Sequence, residues 1–176
     1  MIPPEFSRSI KLDRLGEARL SQTLEASPGE CEALAKRFDL IQIETLSADV
    51  IVWKRGDCVT LEGRLKAKLV QPCVASAAPV PVRIDEPLLI KFRPETAHSP
   101  DAEIELDADD CDVAEHDGKA VDMGEAVAQS FGLALDPFLR APDADAVLKA
   151  AGVKAEGEEA VGAFAALAAL RGKLSG

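Results

Sequence analysis

The chain has 176 residues, which suits one folded domain with appendages and is too short for several large domains. Hydrophobic residues make up 47% of it and charged residues 29%, so the composition excludes a chain that is disordered throughout. The net charge is −11, tyrosine is absent and Trp53 is the single tryptophan, which argues against a protein that reads single-stranded nucleic acid by stacking many bases.

The acidic charge is concentrated in one segment. Residues 95–125 hold twelve acidic side chains and one basic side chain, so this segment alone accounts for the net charge of the whole chain. Because the rest of the sequence is nearly balanced, the folded part can still present a basic face.

The cysteines lie far apart in the chain, at Cys31, Cys58, Cys73 and Cys111. No two of them are spaced as in a disulfide framework or a structural zinc site. The first residues lack a basic and apolar leader, and no window of about 18 residues is apolar throughout. We therefore expect a cytoplasmic protein without a cofactor and without a metal site.

Two strands and a helix are predicted at the start of the chain. Residues 7–12 and 18–26 have compositions typical of strands. Ser27-Pro28-Gly29-Glu30 combines a capping box with proline at the first helical position, so a helix should begin there and end near Phe38. Its apolar residues recur on one face, which predicts packing on a sheet.

The middle of the chain alternates polar and apolar residues in three stretches, 40–47, 48–54 and 58–70. This alternation predicts an antiparallel meander. A further strand is predicted at 80–92. It contains Pro81 and Pro87, which indicates an edge position or bulges, because proline cannot donate to a central ladder.

Residues 95–118 are predicted as a mobile acidic loop that includes a candidate short strand at 103–106. Asp122 then caps a helix that begins at Met123 and ends near residue 131 or 133. Glu125 in its first turn is favoured by the helix dipole.

The remainder is predicted to be helical, with a weaker helix at 141–150, a spacer at 151–159 and an alanine-rich helix at 162–174. The terminal helix either docks on the chain's own core or fits a groove of a partner. Residues 1–140 thus predict one α+β domain, a curved antiparallel sheet or partly open β-barrel with two or three packing helices. Residues 141–176 predict a helical C-terminal extension with a flexible spacer.

Catalytic and metal-binding patterns are weak. The acidic run 107–112 has no glycine where a calcium loop of the EF-hand type needs one. Histidines occur only at His98 and His116, and no nucleophile elbow or glycine-rich phosphate loop is present. We therefore expect a protein that is not an enzyme.

The basic side chains form a clearer pattern. Arg64, Lys66 and Lys68 share one face of their predicted strand. Lys91 and Arg93 are also two positions apart, so a neighbouring strand can add them to the same face. Two interpretations stay open at this point. The stripe is either an ordinary solvated sheet face or a surface for RNA or an acidic partner.

Several motifs follow one another in a fixed order: Gly63-Arg64-Leu65-Lys66-Ala67-Lys68-Leu69-Val70-Gln71-Pro72-Cys73, Pro79, the segment 86–92, the acidic stretch to Asp112, Asp122-Met123-Gly124-Glu125, and Leu133-Ala134-Leu135-Asp136-Pro137. Their order and spacing resemble the YceD family of bacterial and plastid proteins over residues from about 10 to 140. Many members have a second cysteine three positions after the one that matches Cys73, where this chain has Ser76. The family-motif residues of this chain are Gly63, Gln71, Pro72, Cys73, Asp122, Gly124, Glu125 and Pro137.

The resemblance implies a non-enzymatic factor for accumulation or assembly of the large-subunit (23S) ribosomal RNA. Such a factor binds this RNA or a basic large-subunit ribosomal protein. The candidate contacts to RNA phosphates are Arg64, Lys66, Lys68, Lys91 and Arg93. Two alternatives remain: segment 95–125 acts as an adaptor for a basic ribosomal protein, or, less favoured, its aspartates serve a metal-dependent nuclease that processes rRNA.

Overall fold

The computed structural model describes residues 4–95 and 113–153. These residues form a five-stranded sheet in the order β2-β3-β4-β5-β6 and a small two-stranded sheet of β1 and β7. The strands are β1 (Ser9–Lys11), β2 (Leu20–Glu25), β3 (Gln42–Arg55), β4 (Cys58–Pro72), β5 (Pro79–Pro94), β6 (Val113–His116) and β7 (Ala120–Asp122). The α-helices of this described part are α1 (Pro28–Arg37), α2 (Met123–Leu133) and α3 (Ala144–Ala150).

The α+β class is confirmed, and the large sheet is open. Its outermost strands, β2 and β6, do not pair with each other, so it is not closed into a barrel. It is also mixed, because β6 runs parallel to β5 whereas the other neighbours are antiparallel. The parallel strand was not predicted, since it falls within the segment 95–118 that the composition marks as a loop.

The long meander β3-β4-β5 dominates the sheet. The prediction of separate strands at 40–47 and 48–54 is wrong, because both belong to the single strand β3. Burial alternates without a break from Leu46 through Val52, and the one irregularity is a register shift between Ile43 and Thr45. Gly56, with φ of 61°, makes the turn into β4, in the gap between the predicted stretches 48–54 and 58–70.

Prolines protect the outer edge of β5. Pro79, Pro81 and Pro87 have the same parity, and β5 pairs with β4 along its whole length. Their nitrogens, which cannot donate, must therefore face away from β4. Among the described residues, β6 covers this edge only from Lys91 to Pro94, so the predicted edge position is confirmed for the rest of the strand.

The two predicted helix starts are confirmed. Ser27 accepts from the backbone of Glu30, and Glu30 accepts from the backbone of Ser27, which completes the capping box. The Asp122 carboxylate accepts from the N–H groups of Gly124 and Glu125 at 3.0 and 3.1 Å. Both helices bury an apolar face against the sheet, including Leu34 of α1, and so they close one side of the core.

The C-terminal elements are described in part. The weaker helix predicted at 141–150 is found as α3. The helix predicted at 162–174 and most of the spacer lie outside the described residues, as does the candidate strand at 103–106. The division of the chain at residue 140 stays a prediction.

An ion pair links the N-terminal segment to α1 and makes folding sensitive to acid. Both guanidinium NH groups of Arg8 donate to the carboxylate of Glu30, at 2.7 and 2.9 Å, and lower the pKa of Glu30 from its ordinary value of 4.5 to about 2. Because the pKa of Glu30 is lower in the folded than in the unfolded chain, the ion pair stabilises the fold at pH values above the unfolded pKa. This contribution is lost as the pH falls towards 2.

We therefore expect Glu30→Gln to cost about 1 kcal/mol of unfolding free energy at pH 7, a figure that allows for solvent screening. Glutamine retains the capping geometry, so the loss reports on the charge. The difference from wild type should shrink below about pH 4.5, measured by urea unfolding at several pH values. Glu32→Gln, on the same helix, is the control, and a pH-independent difference would contradict the assignment.

Candidate nucleic-acid interface

The candidate site is the face of the large sheet opposite the helices. Along β4, Leu65, Ala67 and Leu69 point into the core, so Arg64, Lys66 and Lys68 point to solvent. Directly opposed residues of antiparallel strands project from the same face. The cross-strand register therefore decides which other side chains join the three cations.

The register places all five predicted cations on one face. Lys66 is opposite Asp85, and Lys91 is opposite Thr60, two pairs of the same parity on β4 and β5. Arg93 follows Lys91 at the next position on that face. The structure establishes that the five cations share one face. Their role in RNA binding stays a prediction.

Carboxylates are interleaved with the cations. Asp85 of β5 forms an ion pair with Arg64, whose hydrogen bond lowers the pKa of Asp85. Asp49 of β3 lies 3.7 Å from Lys66. All four side chains are more than half exposed, and such surface pairs typically contribute 0 to about 1 kcal/mol. A phosphate group can therefore displace these carboxylates at little cost.

Lys68 and Arg83 form an opposed pair of cations that no carboxylate of the described residues neutralises. They are directly opposite each other on β4 and β5, and both are exposed. Neither forms an ion pair or hydrogen bond with another described residue. Two like charges in opposed positions repel each other, so an anion that bridges them would relieve the repulsion.

Arg83 was missed in the prediction, although a signal for it exists. It has the same parity as Lys91 and Arg93 within the predicted strand 80–92. Arg19 was also missed. It lies in the predicted strand 18–26, and only the pairing of β2 with β3 brings it to this face. Its guanidinium lies 4.3 Å from the centre of the Trp53 ring and 3.7 Å from the Glu62 carboxylate.

Within β2 to β6, the register directs seven basic and five acidic residues to this face. The basic residues are Arg55, Arg64, Lys66, Lys68, Arg83, Lys91 and Arg93, and the acidic residues are Glu25, Asp49, Glu62, Asp85 and Glu115. At its border, Arg19 joins through its contacts and Glu86 acts electrostatically on Arg64. The strand residues of the face thus carry a small net positive charge on a chain whose total charge is −11.

The family-motif residues, in contrast, build the scaffold beneath this face. At Gly63 the β3 and β4 backbones approach so closely that an added Cβ would overlap Asp49 O and lie 2.8 Å from Val50 Cα. Only glycine fits there without separating the strands. Gly63 therefore sets the spacing of the sheet that carries the cations.

The motif 122–125 clamps the N-terminal segment. Asp122 accepts from the Arg8 N–H at 2.8 Å in addition to capping α2. A Cβ at Gly124 would overlap Phe6 O and lie 2.8 Å from Arg8 N. Glu125 forms a bidentate pair with Arg37 at 2.8 and 2.9 Å, which joins α2 to α1.

The second cluster of motif residues joins the end of the β4–β5 hairpin to the segment after α2. Gln71 Nε2 donates to Asp136 O at 2.6 Å, and the N–H of Ala141 donates to the buried sulfur of Cys73 at 3.2 Å. Hydrogen bonds from Ser76 and from Ala141 lower the pKa of the Cys73 thiol to about 7. Pro72 closes β4, and Pro137 directly follows the Asp136 contact. This geometry makes Cys73 an anchor of the hairpin.

His116 also serves the scaffold. Its Nδ1 accepts from the Gly118 N–H at 3.1 Å, so Nε2 carries the proton and donates to Asp57 O at 2.9 Å. These bonds tie β6 to the turn between β3 and β4. In the part of the chain that the structure describes, no three His, Cys, Asp or Glu side chains cluster in a metal-binding arrangement. His98 and the acidic run 107–112 lie outside that part.

Residues 4–95 and 113–153 include no helix that is long and apolar enough to span a bilayer.

No curated protein and no solved structure was found to match the chain. A family model described as "Large ribosomal RNA subunit accumulation protein YceD" matches residues 61–171. The match begins in β4 and includes all five predicted cations, Arg83 and every family-motif residue. The description indicates a role in accumulation of the large-subunit ribosomal RNA. Since the matched segment is more than half of the chain, this protein belongs to the YceD family.

Proposed function

We propose that the protein supports accumulation of the large-subunit ribosomal RNA by binding this RNA through the basic sheet face, without catalysing a reaction. The observation that carries the proposal is the pair Lys68 and Arg83, two exposed, opposed cations without a carboxylate partner among the described residues. The other cations of the face surround this pair and extend it along β4 and β5.

The chemistry of the face favours contact with the sugar–phosphate backbone. Lysine and arginine neutralise phosphates, and this term dominates binding that does not depend on sequence. Stacking of bases requires open aromatic rings. Among the residues that the structure describes, Trp53 is the one aromatic residue of this face, and Arg19 lies over its ring. The proposed mode therefore holds RNA by charge and shape, and needs no reacting group.

The interleaved carboxylates limit how strongly the face binds. Arg64 and Lys66 have to exchange Asp85 and Asp49 for phosphates, a replacement of one exposed pair by another. Lys68 and Arg83 bind without such an exchange. We therefore expect each of these two side chains to contribute more to the affinity than any other cation of the face.

The salt dependence of binding tests the proposal. If about five phosphates are neutralised, log K should fall with log salt at a slope of about −3.5 for single strands, so binding weakens about a hundredfold between roughly 50 and 200 mM salt. Fluorescence anisotropy with a single-stranded fragment of large-subunit rRNA measures this slope. An interaction with a slope near zero would exclude the basic face as the origin of binding.

The adaptor and nuclease alternatives rest on the acidic segment, of which 96–112 lies outside the described residues. They stay predictions. The pair of exposed, opposed cations Lys68 and Arg83 lies in the described part of the chain, and it favours the basic face over either alternative.

A further inference from the structure

A groove of about 780 Å³ lies between α1 and the first half of β3, and it borders the basic face at Glu25, Thr45 and Ser47. Every residue from Leu40 to Ser47 lines it. Since side chains of both parities contribute, the groove follows the edge of the strand. On its other side α1 contributes Cys31, Ala35 and neighbouring residues.

The strand edge in this groove has no neighbouring strand among the described residues. β2 pairs with β3 only from Ser47 to Val52, and Ala26 N–H then donates to Leu46 O as the chain leaves for α1. Residues 42–45 pair only with β4, on the other side of the strand. An uncovered edge of this kind presents backbone donors and acceptors to an added strand.

The groove is acidic and has apolar walls. Its charged lining consists of Glu25, Glu32 and Glu44 against one cation, Lys36. None of these four side chains forms an ion pair with another described residue. Leu40 and the half-exposed Ile41 supply apolar surface along the same edge.

We propose that this groove binds an extended, basic segment of another protein, which adds a strand to the edge of β3. Backbone hydrogen bonds to residues 42–45 would hold the segment, and alternate side chains would meet the carboxylates and the apolar walls. The net negative charge of the lining selects a basic segment. The groove adjoins the basic face, but its uncovered edge does not include the cations of that face, so this proposal does not depend on RNA binding.

The test uses the full chain and a labelled synthetic peptide of about ten residues that alternates lysine and valine, long enough to span the edge. Fluorescence anisotropy gives the affinity, and backbone amide NMR shifts give the location. We expect shifts concentrated at Gln42–Leu46. A peptide that alternates glutamate and valine should not bind.

Charge reversal then separates this groove from other acidic parts of the chain. Glu32→Lys combined with Glu44→Lys should weaken lysine–valine peptide binding by at least about tenfold. The matched control, Asp13→Lys with Glu17→Lys, adds the same charge outside the groove and should change the affinity less than about twofold. Milder Glu32→Gln and Glu44→Gln replacements cover the case in which the reversed variant does not fold.

Three results would overturn the proposal. Amide shifts outside 40–47 would place the peptide elsewhere, and equal losses in the reversed and control variants would mean a general charge effect. Tighter peptide binding after Lys154→Glu, Arg171→Glu and Lys173→Glu would mean that the chain's own C-terminal segment competes for the groove. Lys68→Glu with Arg83→Glu should not weaken peptide binding, because it adds negative charge beside the groove, so failure here is distinguishable from failure of RNA binding.

Discussion

Replacing Lys68 and Arg83 together by glutamate is expected to weaken binding of single-stranded large-subunit rRNA by about a hundredfold at roughly 50 mM salt. Each lost phosphate contact reduces the release of counterions on binding, which lowers the affinity by about a factor of ten under these conditions. The salt slope should also become shallower by about 1.4, because two contacts are missing. Anisotropy titrations at several salt concentrations measure both quantities.

The control for this variant changes charge by the same amount at another place. Lys11→Glu with Lys149→Glu alters β1 and α3, whose exposed lysines lie outside the basic face. It should keep most of the affinity. If this control loses as much as the variant on the face, the binding follows total charge and the assignment of the face is wrong.

Replacing Gly63 by alanine is expected to destabilise the fold by about 3 kcal/mol and to lower Tm by roughly 10 °C. The added Cβ would overlap backbone atoms of β3, which cannot rotate away as a side chain can. The strands β3 and β4 would have to separate at the centre of the sheet. Thermal unfolding followed by circular dichroism measures the effect.

Gly29→Ala is the matched control for the same chemical change. A Cβ at Gly29 meets nothing within 4 Å, and the residue lies in the first turn of α1. Alanine favours a helix over glycine by up to about 1 kcal/mol, so this variant should be neutral or more stable. Equal destabilisation by both substitutions would contradict the close approach at Gly63.

Local chemistry explains which elements the sequence could predict. The caps at Ser27 and Asp122 depend on residues within three positions of each other, so both helix starts were predictable. The alternation of polar and apolar residues in β4 and β5 likewise predicted that the cations lie on the exposed side of these strands. The same alternation led to the wrong prediction of a break after residue 47, because one unbroken strand and two consecutive strands have similar patterns.

The rest needed information that the local sequence does not contain. The ion pairs of Arg64 with Asp85 and of Lys66 with Asp49 depend on the register of three strands. The parallel strand β6 reaches β5 only after the segment 96–112, so no hairpin signal predicts it. The motif residues Gly124 and Glu125 were found as a pattern, but their contacts with Phe6 and Arg37 required the fold.

The most direct measurement is the ratio of large- to small-subunit rRNA, with precursor ends mapped, in cells depleted of this protein and complemented with variants at equal protein levels. We predict that wild type and the Lys11→Glu, Lys149→Glu control restore the ratio, whereas Lys68→Glu with Arg83→Glu does not. Full restoration by the variant on the basic face would contradict the claim that this face supports accumulation of the large-subunit rRNA.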